Sequence, residues 1–130
     1  MSVENTLSGE TSTHPREVWT IVSGDQRLAF ALVYKREVRS AELTLERVKI
    51  SFSKRSESIG LEYYPDKSNA RLYPYAANGE ERPARIGELG ILADQMKPLV
   101  DQVNDPKYLT IFREVLIALK TVPFLEPGHR

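Results

Sequence analysis

The chain has 130 residues, the usual size of one domain and too few for two independent cores. Hydrophobic residues make up 41% and charged residues 28%, which excludes both a disordered chain and a membrane-embedded one. The 18 basic and 18 acidic side chains cancel, so no global charge bias marks a basic nucleic-acid binder or an acidic mimic, and the absence of cysteine excludes disulfides, thiol catalysis and thiolate metal sites.

Residues 1–17 read as a polar tail rich in Ser, Thr and Glu. The segment Met1 to Pro15 has Glu4 and Glu10 but no Lys or Arg and no apolar centre, so it does not have the pattern of a signal peptide. No apolar run approaches the roughly 20 residues that cross a bilayer. A reducing interior suits a chain without cysteine, and a cytoplasmic location is expected.

Strand signals begin at Val18. Residues 18–23 are β-branched and aromatic, and residues 28–35 carry apolar side chains in both phases, as a central strand does. Ser23-Gly24-Asp25-Gln26 between them reads as a turn, giving a hairpin over residues 18–35. Residues 41–53 admit two readings. Leu43 and Leu45 alternate in one phase and Val48, Ile50 and Phe52 in the other, which predicts a strand with a bulge at Glu46-Arg47. The rival is a helix from Ser40 with Ala41, Leu45, Val48 and Phe52 on one stripe. The strictly alternating end favours the strand.

Residues 59–64 and 70–76 are two further strands around the loop Pro65 to Asn69. Asn78-Gly79 is a two-residue turn signal that predicts a last strand over about residues 80–86. Pro74 and Pro83 place this last hairpin at a sheet edge, since proline has no amide to donate. Leu89, Leu92, Ala93, Met96, Leu99, Val100 and Val103 then follow helical spacing, with Pro98 expected to kink or split the helix near Asp94. Asp105-Pro106 starts a second helix that runs to about Thr121. Residues 123–130 read as a loose tail. The expected fold is therefore a single α+β domain over residues 18–122. Its antiparallel β-meander of five to six strands is followed by two C-terminal helices packed on one face.

Catalytic and metal chemistry have few candidates. His14 and His129 both fall in the tails, without the rigid surroundings that a general base or a metal ligand needs. There is no Gly-x-Ser-x-Gly elbow, and Gly87 and Gly90 form no phosphate loop because no Lys-Ser/Thr follows. Glu42 with Glu46, and Glu80 with Glu81, lie in polar stretches where nothing raises a carboxylate pKa. The chain is read as non-enzymatic, with no cofactor and no metal site.

One constellation stands out on the sheet. With Leu, Ile and Phe turned inward, strand alternation sends Arg47, Lys49, Tyr64, Arg71, Tyr73 and Tyr75 outward, with Glu62 among them. Lys35 and Arg36 end the preceding strand, and Lys54-Arg55 sits in a turn. Residues 35–55 hold seven basic side chains (Lys35, Arg36, Arg39, Arg47, Lys49, Lys54, Arg55) against three acidic ones (Glu37, Glu42, Glu46), so the zero net charge hides a basic middle. Cations interleaved with rings suit single-stranded nucleic acid, because cations neutralise phosphates and rings stack bases. The competing reading is a solvated sheet face, where Lys, Arg and Tyr are ordinary residues.

The second helix carries apolar residues most of the way round. Tyr108, Ile111, Phe112, Val115, Ile117 and Ala118 are candidates for an oligomer interface; otherwise the helix is simply buried. The order of a β-meander and two C-terminal helices resembles that of single-stranded RNA phage coat proteins. The resemblance lies in element order and in no motif. It implies helices that pair between subunits and an open sheet that faces RNA. The leading expectation is thus a homodimer binding single-stranded RNA or DNA on the basic, tyrosine-bearing face. The alternative is a protein–protein interaction module: an assembly subunit, an adaptor or a small inhibitor of the kind phages encode.

Overall fold

Alternating apolar residues turn one face of the middle strands inward, and the strands assemble into one sheet. The computed structural model describes residues 2–9, 14–77 and 79–125, apart from the side chains of 6–9. Six strands follow one another as an antiparallel meander: β1 (Ser2–Gly9), β2 (Pro15–Ser23), β3 (Gln26–Arg36), β4 (Leu43–Lys54), β5 (Glu57–Tyr64) and β6 (Arg71–Pro74). A seventh, β7 (Glu81–Pro83), pairs with β5. The helices α1 (Leu89–Val100) and α2 (Pro106–Thr121) complete the α+β fold.

The hairpin of β2 and β3 turns at Gly24, whose φ of +61° is open to glycine without strain. Residues 43–54 are strand and not helix. The pairing of β3 with β4 slips between Val33, opposite Arg47, and Tyr34, opposite Leu45, which leaves Glu46 as the extra residue of a bulge. The two opposed phases of leucine and valine are the trace of that bulge in the sequence.

Three segments depart from expectation. The polar stretch expected as a tail contains β1, paired with β2 from Ser2 opposite Val22 to Gly9 opposite Pro15. Its backbone amides complete a ladder that asks nothing of side-chain hydrophobicity. The last hairpin does not form. Instead, β7 runs parallel to β5 beside residues 58–60, while β6 pairs with residues 61–64 along the same edge. Asn78, half of the expected turn, lies outside the described residues. Finally, residues 123–125 are docked. The Leu72 amide donates to the Pro123 carbonyl at 2.9 Å and the Leu125 amide to the Leu72 carbonyl at 2.8 Å, so the segment borders β6. The expected tail beyond it, 126–130, is outside the described residues.

Both helices cover one face of the sheet. Ile21, Leu28, Phe30, Leu32, Ile50 and Leu61 meet Leu92, Met96, Leu99, Phe112 and Val115 in one core, each at most 2% exposed. The residues of α1 that follow helical spacing are the buried ones, and the helix runs unbroken through Pro98. Only two residues of the helix follow that proline, so the missing amide costs it one bond near its end. The start of α2 is the one its sequence announces: Asp105 accepts from the Lys107 amide at 3.0 Å and Pro106 takes the first helical position.

Candidate nucleic-acid interface

The register of the meander aligns outward side chains into rows across the face that carries no helix. Arg16 pairs with Val33, and Val33 with Arg47; next along lie Tyr64 and its partner Arg71. In the adjacent row Lys49 stands opposite Glu62, and Glu62 opposite Tyr73. Val33 is only 2% exposed although it points away from the core. Arg16 and Arg47 lie along it with their Nε atoms buried, so their stems cover it while the cationic ends reach the surface.

The cations and rings engage one another. The Arg71 guanidinium lies 5.1 Å from the Tyr64 ring centre and 5.8 Å from that of Tyr73, and its Nε donates to the Tyr73 hydroxyl at 2.8 Å. Tyr64 and Tyr73 meet edge to face at 5.4 Å. Lys49 sits 5.0 Å above the Tyr75 ring and donates to its hydroxyl at 3.3 Å. Such pairs hold flat side chains upright on a sheet surface. Arg47 hydrogen-bonds the Tyr64 hydroxyl, the main reason its pKa lies above the ordinary arginine value, and it faces Glu62 at 3.9 Å.

The expected binding residues therefore divide. Arg47, Lys49, Tyr64, Arg71, Tyr73 and Tyr75 share the outer face. Lys35 joins them at one end, where it lines a depression of about 340 Å³ together with Tyr64 and Arg71. Arg36 does not. It follows Tyr34 by two residues on the strand and so falls on the helix-bearing side, where it donates to the Ala41 carbonyl at 3.3 Å. Arg16 belongs to the row, although its surroundings in the sequence read as tail. Counting back by two from Val18 places it on the outer face, a signal hidden by the polar residues before it.

A carboxylate sets the far limit of the patch. Glu81 accepts from the Ser51 hydroxyl at 2.6 Å and from the Ala77 amide at 3.0 Å, so a carboxylate borders the outer face at Ser51, with Arg27 beyond it. Gly60 makes this possible. A Cβ there would overlap the Glu81 carboxylate and the Tyr75 carbonyl.

The expected interface on α2 is placed differently. Phe112, Val115 and Ala118 are buried in this chain's own core, and Tyr108 and Ile111 pack against it. Phe112 stacks on Phe30 at 4.2 Å, and Trp19 contacts both Tyr108 and Phe112. Of the six, Ile117 alone projects to solvent, 61% exposed. The additional apolar face of α2 is covered by α1 and the sheet.

Sequence reasoning also passed over Glu17, the one buried charged residue among those described, 7% exposed. Its carboxylate accepts from the Tyr108 hydroxyl at 3.0 Å, the Trp19 indole at 3.3 Å and the Asn5 amide at 3.4 Å. Burial first, and Glu17 second, push the Tyr34 and Tyr108 hydroxyls up to about 12. These groups satisfy one another and tie β1, β2 and α2 together.

His14, expected as a solvated tail residue, lies 3.6 Å from Glu46 at the bulge. His129 lies outside the described residues. Among the described residues no three His, Cys, Asp or Glu gather as metal ligands, and no helix is long and apolar enough to cross a membrane.

Comparison with known proteins finds no matching family model, no matching curated protein and no matching solved structure. None of these comparisons supports the resemblance to single-stranded RNA phage coat proteins, and both helices lie on the chain's own sheet.

Proposed function

We propose that this chain binds single-stranded nucleic acid on its outer sheet face. The observation that carries the reading is the row of Arg16, Arg47, Tyr64 and Arg71, beside Lys49, Tyr73 and Tyr75, on a face that no helix covers. Arg16, Arg47 and Arg71 stand on alternate strands, two strand spacings or about 9.6 Å apart, and so line a path for a phosphate backbone. The tyrosines and the Arg71 plane offer flat surfaces to unstacked bases. Glu62 neutralises part of Arg47, and the two rows still hold four cations, Arg16, Arg47, Lys49 and Arg71, against that one carboxylate.

The test is binding of short single-stranded RNA and DNA at several salt concentrations. Affinity is expected to fall steeply as salt rises. Tyr73→Ala is expected to weaken binding by roughly 1–3 kcal/mol, the range for one base–ring stack. Lys49→Ala is expected to weaken binding and to reduce the salt slope by about one. Absence of salt-sensitive binding to either nucleic acid ends the reading.

A second reading has its own observation. Between α1 and α2 a groove with Ala93, Leu116 and the exposed Ile117 at its floor is rimmed by the ion pairs Lys120–Asp94 and Lys97–Asp101. That surface supports a protein-binding module, whose affinity is expected to change little with salt.

A further inference from the structure

The depression at the end of the cationic row differs from the row in its charge. It lies between the β3–β4 arm, which contributes Lys35, Thr44 and Glu46, and the start of the β5–β6 connection, which contributes Asp66; Tyr64 and Arg71 form its wall toward the open face. Two cations and two carboxylates balance there. A phosphate gains little in such a place, whereas a neutral ring that offers donors and acceptors can use both signs. The volume, about 340 Å³, is at the small end of ligand pockets and suits one base rather than a larger group. The Tyr64 ring and the Arg71 guanidinium stacked on it form a flat wall.

The two carboxylates are not equivalent. Glu46 is engaged by His14 at 3.6 Å. The Asp66 Oδ1 accepts from the Ser68 amide and the Ser68 hydroxyl, both at 2.9 Å, and the Asn69 amide also reaches the carboxylate, which fixes the plane of the group with Oδ2 as the oxygen not bonded to Ser68. Those same bonds keep the carboxyl below its ordinary pKa. At neutral pH Asp66 is then an acceptor only, and it requires an N–H donor opposite it.

Resting on the nucleic-acid reading above, we infer that this depression is a base subsite that selects bases with an exocyclic amino group over keto bases, with Asp66 as the selecting residue. Cytosine and uracil are the discriminating pair. They share ring size and stacking surface and differ at position 4, an amino donor in cytosine and a keto acceptor in uracil. Opposite an ionised carboxylate the first forms a hydrogen bond and the second meets repulsion. Lys35, a donor only, lines the same depression and can serve the acceptor atoms of the ring.

The experiment compares the affinities of oligo(rC) and oligo(rU) of equal length for the full chain and for Asp66→Asn. Wild type is expected to prefer oligo(rC) by roughly tenfold, the equivalent of one charge-assisted hydrogen bond. The amide introduced by Asp66→Asn would keep the Oδ1 bonds to Ser68 and place a donor where Oδ2 stood. The substitution is therefore expected to lower the affinity for oligo(rC), and to bring the ratio to one or to favour oligo(rU). Asp66 is exposed, so the variant is expected to keep its fold, checked by circular dichroism. Salt-sensitive binding without preference between the two oligomers overturns this inference alone, as does a preference that survives Asp66→Asn. No salt-sensitive binding to either oligomer overturns the nucleic-acid reading and this inference with it.

Discussion

The Tyr108 hydroxyl donates to the Glu17 carboxylate at 3.0 Å and joins the first turn of α2 to β2 across 91 residues of sequence. Glu17 is buried and charged, and each donor that reaches it offsets part of its desolvation. Tyr108→Phe removes one donor and leaves the ring contact with Trp19 in place. The expected loss is about 1–3 kcal/mol in denaturant unfolding, the cost of a hydrogen bond to a charged group. A loss near zero would show that solvent replaces the tyrosine at Glu17.

The same cluster sets an alkaline limit to stability. Tyr34 and Tyr108 titrate near 12 in the folded chain and near 10 when exposed. Between those values the unfolded chain has lost protons that the folded chain retains, so stability falls as pH rises. The contribution is complete below pH 10 and disappears through about pH 12. Melting temperatures measured across that window are expected to decline, and the decline is expected to be shallower in Tyr34→Phe.

Gly60→Ala is expected to destabilise the chain by about 1–3 kcal/mol, the usual cost of overpacking. One of the two groups its Cβ would strike, the Tyr75 carbonyl, is backbone and cannot rotate away. The Gly60 carbonyl also accepts from the Tyr75 and Ala84 amides, at 3.3 and 2.8 Å, so strain there is transmitted to both β6 and β7. Thermal unfolding measures the loss. Hydrogen exchange is expected to show faster exchange at Ala84 than in wild type.

What the sequence conveyed follows from what side chains can signal. Val48, Ile50 and Phe52 change phase from Leu43 and Leu45, and a phase change has one economical cause on a strand, so the bulge at Glu46 was legible. Ser2 to Gly9 gives no apolar alternation because its pairing with β2 is made by backbone groups. The parallel placement of β7 depends on contacts far apart in sequence. Glu81 reaches Ser51, and Arg82 reaches Glu57 at 2.6 Å and Glu88 at 2.7 Å. Asn78-Gly79 alone resembles a hairpin turn, and local turn chemistry loses to those anchors. On the candidate interface, alternation placed Lys49 and Tyr73 correctly. Arg36 was lost because a count of basic residues near a strand end ignores which face each occupies.

Helix α2 shows the limit of composition most directly and provides the last test. Its sequence gives the amount of apolar surface and not the identity of what covers it. Phe112 is fully buried against Phe30 of the same chain, at 4.2 Å with the rings nearly parallel. Phe112→Ala is therefore expected to cost about 3–5 kcal/mol through the lost contact and the cavity left behind. Ile117 projects from the opposite side, and Ile117→Ser is expected to change stability by no more than about 0.5 kcal/mol. Unfolding at several protein concentrations separates the two possible settings for Phe112. If its partner is in its own chain, the midpoint does not move with concentration. If the ring were packed between copies, dilution would lower the midpoint by mass action, and the intrachain core described for α2 would be wrong.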